Sequence, residues 1–278
     1  MKSAYIIDRL AVCSWSLQPT HPLDLVQKLQ ETGLARVQLA LDPLRASPKA
    51  WGETEKILRD YGVTVVSGMV TCLGEDYSSL DSIRRTGGIA PDATWKQNLK
   101  NFGACAAIAK KLGLKLVTFH AGFLPPDESH PKFGKMLQRL EVVADLFMAQ
   151  NLLLGLETGQ ETAPELAALL HKLNHPNIGV NFDPANMILY DKGDPVKALH
   201  TLAPWVRQVH VKDARRTKLP GTWGQEVPVG TGDMEWRAFF STFKHVVFNV
   251  NMAIEREYGN NRVADIRAAR RVMERTFF

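Results

Sequence analysis

The chain has 278 residues, 45% of them hydrophobic and 23% charged, which suits an ordinary soluble globular protein and excludes disordered or fibrous classes. A formal charge of +5 permits an anionic substrate but is far from the basic surface that nucleic-acid binding demands. No apolar run approaches the roughly 20 residues needed to span a membrane, so no membrane and no nucleic-acid partner is expected.

The start, MKSAYIIDRLAVCSWSL, carries Asp8 and Arg9 inside its apolar part and makes a poor signal peptide. Cys13, Cys72 and Cys105 form an odd, scattered set that argues against a disulfide framework and fits a reducing compartment. A cytoplasmic protein is expected.

In chain order, strands are predicted at 10–16, 36–41, 63–70, 114–120, 151–157, 177–183, 206–212 and 249–255. Stretches of helical periodicity lie between them, among them 22–33, 94–113 and 162–174. The last opens on Thr162 with Glu165 three residues on, the spacing of a capping box. Gly33, Gly62 and Gly113 stand where C-terminal stops belong.

Strands that alternate with helices imply parallel pairing with crossover connections. Eight such units favour a single (β/α)8 TIM barrel over residues 1–278, with α/β composition, rather than an open doubly wound sheet. No Gly-rich dinucleotide fingerprint follows the first strand. The connections 71–93, 121–131 and 213–233 exceed the usual few residues, and all follow strands. In a barrel such long βα loops lie over the C-terminal face, where active sites are built.

Side chains of a strand alternate between two faces. In VRQVHVK (206–212), Val209 and Val211 suit a packed face, which leaves Gln208, His210 and Lys212 on the other. The same rule turns Asn177, Gly179, Asn181 and Asp183 inward, then Leu153, Gly155 and Glu157, then Asn251, Ala253 and Glu255. Each of the last four strands therefore ends its inward face in a metal-capable group: Glu157, Asp183, His210, Glu255.

A single glutamate at a strand end is more often salt-bridged or solvated than a ligand. Four such groups at equivalent places are another matter, because three buried carboxylates repel one another. One divalent metal ion (Mn2+, Mg2+, Co2+ or Zn2+) resolves the burial cost and the repulsion together.

Lys212 is a candidate cation for a substrate oxygen, or else a structural partner of Asp183 or Glu255. His120, on the same face as Thr118, could contact substrate or a second ion, or sit as a rim residue. Trp15 could wall a sugar or simply pack in the core. The Gly-rich stretch 221–232 lacks P-loop spacing and reads as a closing loop. Arg207, Arg215, Arg216 and Lys218 read as a solvated basic face, Arg256 and Glu257 as rim ion-pair partners, and 267–275 as an amphipathic helix.

The motifs GLETG (155–159), NFDPANMILY (181–190), GDPVKAL (193–199), VHVKDA (209–214), PVGTGDMEW (228–236) and IEREYGNNRVADI (254–266) resemble, in this order and spacing, the xylose-isomerase-like superfamily of sugar isomerases and epimerases. The resemblance implies that Glu157, Asp183, His210 and Glu255 hold the metal. It also implies that Glu157 and Glu255 exchange protons with a small-molecule carbohydrate through an enediolate, the metal acting as Lewis acid. Many epimerases of this type carry His three residues after the ligand Asp. Here Asn186 stands there and is expected to bind substrate without titrating.

A dehydratase or lyase acting on a keto sugar or cyclic polyol shares the proton-abstraction step and remains the main alternative. An apurinic-site endonuclease would need several more histidines, one of them at Asn186. A sensor on a retired enzyme barrel would not need all four ligands. A homo-oligomer is an analogy from barrels of this kind.

Overall fold

The computed structural model describes residues 8–125, 128–219, 221–247 and 249–276. Residues 1–7 of the N-terminal stretch, 126–127 of the 121–131 connection, 220 of the 213–233 connection and 277–278 lie outside the described residues. The barrel strands, numbered among themselves, are β1 (Leu10–Cys13), β2 (Arg36–Ala40), β3 (Thr64–Met69), β4 (Leu116–Phe119), β5 (Leu153–Glu157), β6 (Ile178–Phe182), β7 (Val206–Val211) and β8 (Asn251–Ile254). All pairs are parallel, and β8 closes the barrel against β1 through Leu10↔Met252 and Val12↔Ile254. The architecture is a closed (β/α)8 barrel, as the alternation of elements requires.

Local chemistry sets the helix ends. Pro22 opens the helix Pro22–Thr32, the His21 ring accepts the amide of Asp24, and Gly33 ends it at a φ of 73°. The helix Ala163–Leu173 carries both halves of its capping box: the Thr162 amide donates to Glu165 (2.7 Å), and the Glu165 amide donates back to the Thr162 hydroxyl (3.4 Å).

Outward side chains such as Val180, Phe182, Val209, Val211 and Ile254 join the helices in one large apolar core. Inside the barrel the apolar filling is sparse: Ala11, Cys13 and Ala253 form a separate small cluster with Trp15 and Val66 against it. The rest of the interior is polar. Gln38, Ser67, Thr118, Asn181, Gln208 and His210 are all fully buried.

Register breaks at Val37/Gln38 and at Val180/Asn181 fall beside two of these residues, as bulges that re-aim a side chain do.

Two expectations shift in detail. β1 stops at Cys13, where the Ser14 hydroxyl takes the amide of Ala40 (2.9 Å) and the chain enters a 3-10 turn, so Trp15 sits on that turn. Asn177 precedes β6 and donates to the Ala144 and Leu152 carbonyls (3.0 Å each), which ties the strand's start to a helix. Side-chain alternation describes the strand interior and gives way where the ladder begins.

The connection 71–93 contains the helix Leu80–Thr86, and 213–233 folds back as an antiparallel hairpin, Asp213–Arg215 against Gln225–Val227. Gly88 (φ +66°) and Gly122 (φ +87°) let two of these connections touch, since a Cβ on either would overlap the other's backbone. Among the described residues, no helix is long and apolar enough to cross a membrane.

Candidate metal centre

Glu157 ends β5, His210 lies in β7, and Glu255 directly follows β8. Asp183 follows β6 and caps the helix Pro184–Leu189, its Oδ1 accepting the amides of Ala185 (2.8 Å) and Asn186 (3.0 Å). One ligand-type atom from each of the four lies within 4.8 Å of all the others. His210 Nδ1 is 3.4 Å from Glu157 Oε1, 3.7 Å from Asp183 Oδ2 and 3.4 Å from Glu255 Oε2.

Two of these atoms, His210 Nδ1 and Asp183 Oδ2, are buried without a hydrogen-bond partner. Buried polar atoms seldom remain so, because losing water uncompensated costs about 1–3 kcal/mol each. Two orphans converging with two further carboxylates make a donor set of oxygens and one imidazole nitrogen. That set fits a divalent cation.

The neighbours of the cluster are specific. Glu157 Oε1 faces His120 Nε2 (3.3 Å) and accepts from Asn186 Nδ2 (3.1 Å). Asn186 Oδ1 in turn accepts from Lys212 Nζ (3.3 Å), so this amide joins Glu157 to Lys212. Glu255 accepts from Trp15 Nε1 on one oxygen (2.7 Å) and from Lys212 on the other (2.8 Å). Lys212 also reaches Glu257 (2.7 Å). The structure thus gathers all eight residues singled out in the sequence around one point, with His120 and Trp15 at its edge.

Below them, His210 Nε2 faces Gln38 Oε1 (2.8 Å), and Gln38 donates to Thr118 Oγ1 (2.8 Å). Gln208 links Ser67 (2.6 Å) to Asn181 (3.2 Å). A partner on Nε2 leaves Nδ1 directed at the carboxylates, the second-neighbour support that metal-bound histidines use. Gln38 escaped the sequence reading, although a lone amide inside RVQLAL was a signal for it. Tyr77 and Trp223, from loops, carried no periodic signal at all.

Electrostatics follow from burial and pairing. For Glu157, burial opposes ionisation, but His120 and His210 outweigh it and hold the carboxyl well below its ordinary range. Burial likewise opposes charge on Glu255, yet Lys212 and His210 pull it down to about 2. Burial works against charge on His120, and Glu157 overrides it, raising the imidazole to about 9. Asp183 moves the other way, because burial there exceeds the pull of Lys212. These shifts favour the charged forms of the two glutamates and of His120.

Above the cluster opens a cavity of about 530 Å³, floored by Glu255 and Lys212 and walled by Trp15, Tyr77, Tyr190 and Trp223. It lies at the ends of the strands and under the long connections. A second cleft of about 380 Å³ adjoins it across Gln160, whose amide donates to the Tyr190 hydroxyl (3.3 Å).

Comparison with known proteins agrees with this architecture. Among solved structures, a xylose isomerase domain protein from Planctomyces limnophilus superposes with a TM-score of 0.84 at 27% identity, covering 95% of this chain and 94% of that one. D-psicose 3-epimerase from Clostridium cellulolyticum H10 has the same fold, with a TM-score of 0.71 at 14% identity over 97% and 99% of the two chains. A barrel protein from Mycobacterium smegmatis, solved in complex with magnesium, gives 0.69 at 14% identity over 96% of each.

Two curated relatives match in sequence. 3-Dehydroshikimate dehydratase of Bacillus anthracis is 24% identical over 196 residues, 68% of this chain, and the YihM protein of Escherichia coli (strain K12) is 30% identical over 145 residues, 49% of it. The matches span 65% and 41% of those relatives' own lengths, less than two thirds of either. The family model described as xylose isomerase-like TIM barrel matches residues 26–276, and the chain belongs to that family.

Proposed function

We propose that the protein is a divalent-metal-dependent sugar isomerase or epimerase, with Glu157 and Glu255 as its acid/base pair. One observation carries this reading: two buried carboxylates belong to the same four-residue cluster, and each has its own set of donors. Glu157, Asp183, His210 and Glu255 would hold the ion. When bound, the ion supplies positive charge beside a substrate carbonyl and so eases loss of the neighbouring proton.

The chain's own groups do the rest. One carboxylate takes the proton from carbon, and the other, once a proton has reached it from a neighbouring donor or solvent, returns that proton to the opposite face to give epimerisation. Return to the same face at the adjacent carbon gives aldose–ketose isomerisation. His120, 3.3 Å from Glu157, is placed to pass a proton to that carboxylate. Lys212, held by Glu255, Glu257 and Asn186, can give a donor to a substrate oxygen only in exchange for one of these acceptors. Asn186, bound to both Glu157 and Lys212, fixes their spacing and can contact a hydroxyl.

The test is solvent-deuterium incorporation into a panel of ketoses, followed by NMR. Glu157→Gln and Glu255→Gln should each reduce exchange by about 10²–10⁴ with circular dichroism unchanged, the usual scale for loss of a general acid or base. Undiminished exchange in both variants would falsify the assignment. A second reading is favoured by the Bacillus anthracis relative: a dehydratase that removes the same proton and then expels a β-hydroxyl. Loss of water from a product, seen by mass spectrometry, would select it.

A further inference from the structure

The chain as a whole is basic, with a formal charge of +5, yet its central cavity is not. Carboxylates on the cavity wall and floor are Asp42, Glu75, Glu226, Glu255 and Glu257, and Glu157 and Asp183 lie beside Glu255 in the cluster below. Against them the lining offers two basic groups, Lys212 and His120. Both are committed. Lys212 Nζ lies 2.8 Å from Glu255 and 2.7 Å from Glu257, and His120 Nε2 lies 3.3 Å from Glu157.

The nearby guanidiniums are committed too. Arg256 pairs with Glu226 (2.8 Å) and Asp265 (2.9 Å), and Arg45 pairs with Asp42 (3.1 Å). A divalent ion on the cluster would offset two of the three ligand carboxylates, leaving none of its charge over for a second anion. Among the described residues lining this cavity, each basic side chain already faces a carboxylate.

The surplus of positive charge lies elsewhere. The adjoining cleft carries Lys132, Lys192 and Arg84, on the far side of Gln160 and Phe123. Net charge of the chain therefore says nothing about what the central cavity accepts.

Its remaining chemistry is aromatic rings and acceptor oxygens. Tyr190 and Trp223 pack against each other with centroids 4.8 Å apart, and Trp15 stands over His210 at 6.1 Å. Carboxylate oxygens accept hydrogen bonds, which suits hydroxyl donors, while ring faces suit the C–H faces of a sugar. An anionic group would have to displace Glu255 or Glu257 from Lys212, or lie against carboxylates in a partly dry cavity where repulsion is weakly screened.

We infer that this cavity selects an uncharged polyhydroxylated carbonyl compound and rejects its phosphorylated and carboxylated counterparts. The inference rests on the carbohydrate reading above, but concerns binding rather than proton transfer.

The experiment is isothermal titration calorimetry on the full-length, metal-loaded protein. The probes are the 2-ketohexoses, their terminal phosphates, the corresponding 2-keto aldonates, and the amino-ketoses as a cationic control. Expected is binding of at least one uncharged ketose, with its phosphate and its keto acid at least about tenfold weaker, which is about 1.4 kcal/mol.

In Glu257→Gln, which releases one of the two carboxylates holding Lys212, the gap should narrow several-fold. An anionic probe that matches or exceeds its parent overturns the inference. So does an amino-ketose that binds more tightly than its parent, a panel in which no uncharged ketose binds at millimolar concentration, or a gap unchanged in Glu257→Gln. Charge-selective binding without isotope exchange would leave the substrate class standing and remove the proton-transfer reading.

Discussion

Asn186 shows how much one side chain can connect. Its amide donates to Glu157 and its carbonyl oxygen accepts from Lys212, so a neutral group joins an anion to a cation without titrating itself. Glu161 illustrates the opposite case, a carboxyl held where charge is unwelcome. It is 6% exposed, and burial raises it from 4.5 to about 8 despite the pull of His120 and Lys192. A raised carboxyl keeps its proton in the folded state over a range where the unfolded chain has lost it. Its contribution is therefore present below about pH 4.5 and is lost as pH rises through about 8. Glu161→Gln, which cannot ionise, should match the wild type near pH 5 and exceed it by a few kcal/mol above pH 8. Urea midpoints at the two pH values decide this; equal differences at both would place the cause outside titration.

At the scale of elements, the segment after β7 is organised by one carboxylate. Asp213 is fully buried and accepts the amides of Ala214 (2.9 Å), Gly230 (2.8 Å), Gly232 (3.3 Å) and Met234 (3.3 Å), and the Trp236 indole (3.0 Å). Gly232 is required there, because a Cβ would overlap Asp213 itself. PVGTGDMEW is thus a strap wound around an anion, which explains why its glycines follow no phosphate-loop spacing. Asp213→Ala should cost about 3 kcal/mol, since charged hydrogen bonds contribute roughly 1.5–3 kcal/mol each and several are partly replaced by water. It should also raise hydrogen exchange at 228–234 while sparing the helix Ala163–Leu173. A variant with wild-type urea midpoint and exchange would show the strap to be held by other contacts. The same contrast separates well-read elements from poorly read ones. Thr162 and Glu165 cap within their own segment, whereas the strap depends on Asp213, distant from it in sequence.

For the whole molecule, the candidate metal centre would join folding to ligand binding. Its four candidate ligands stand at the ends of four strands spread over residues 157–255, so the cluster exists only once the barrel closes. An ion that binds only the folded state adds about 2.7 kcal/mol at 100 times its Kd, and should raise Tm by several degrees in a chain of this length. Chelation should reverse the rise, and His210→Ala should abolish it, as read by scanning calorimetry with metal content by mass spectrometry. A rise that persists in His210→Ala would move the ion elsewhere. The sequence by itself determined the eight-unit alternation, the helix caps and the strand faces, because these depend on neighbours within a few residues. Period-two alternation was enough to bring Glu157, Asp183, His210 and Glu255 to equivalent strand ends. It mis-stated Asn177, which precedes the ladder and turns to a helix, and the strand expected over 10–16 stops at Cys13. Only the tertiary structure decided that Gln38 supports His210, that Tyr77 and Trp223 wall the cavity, and that Lys212 is already bound by two carboxylates. Those facts depend on distances between segments far apart in the chain, which closure of the barrel sets and local pattern does not encode.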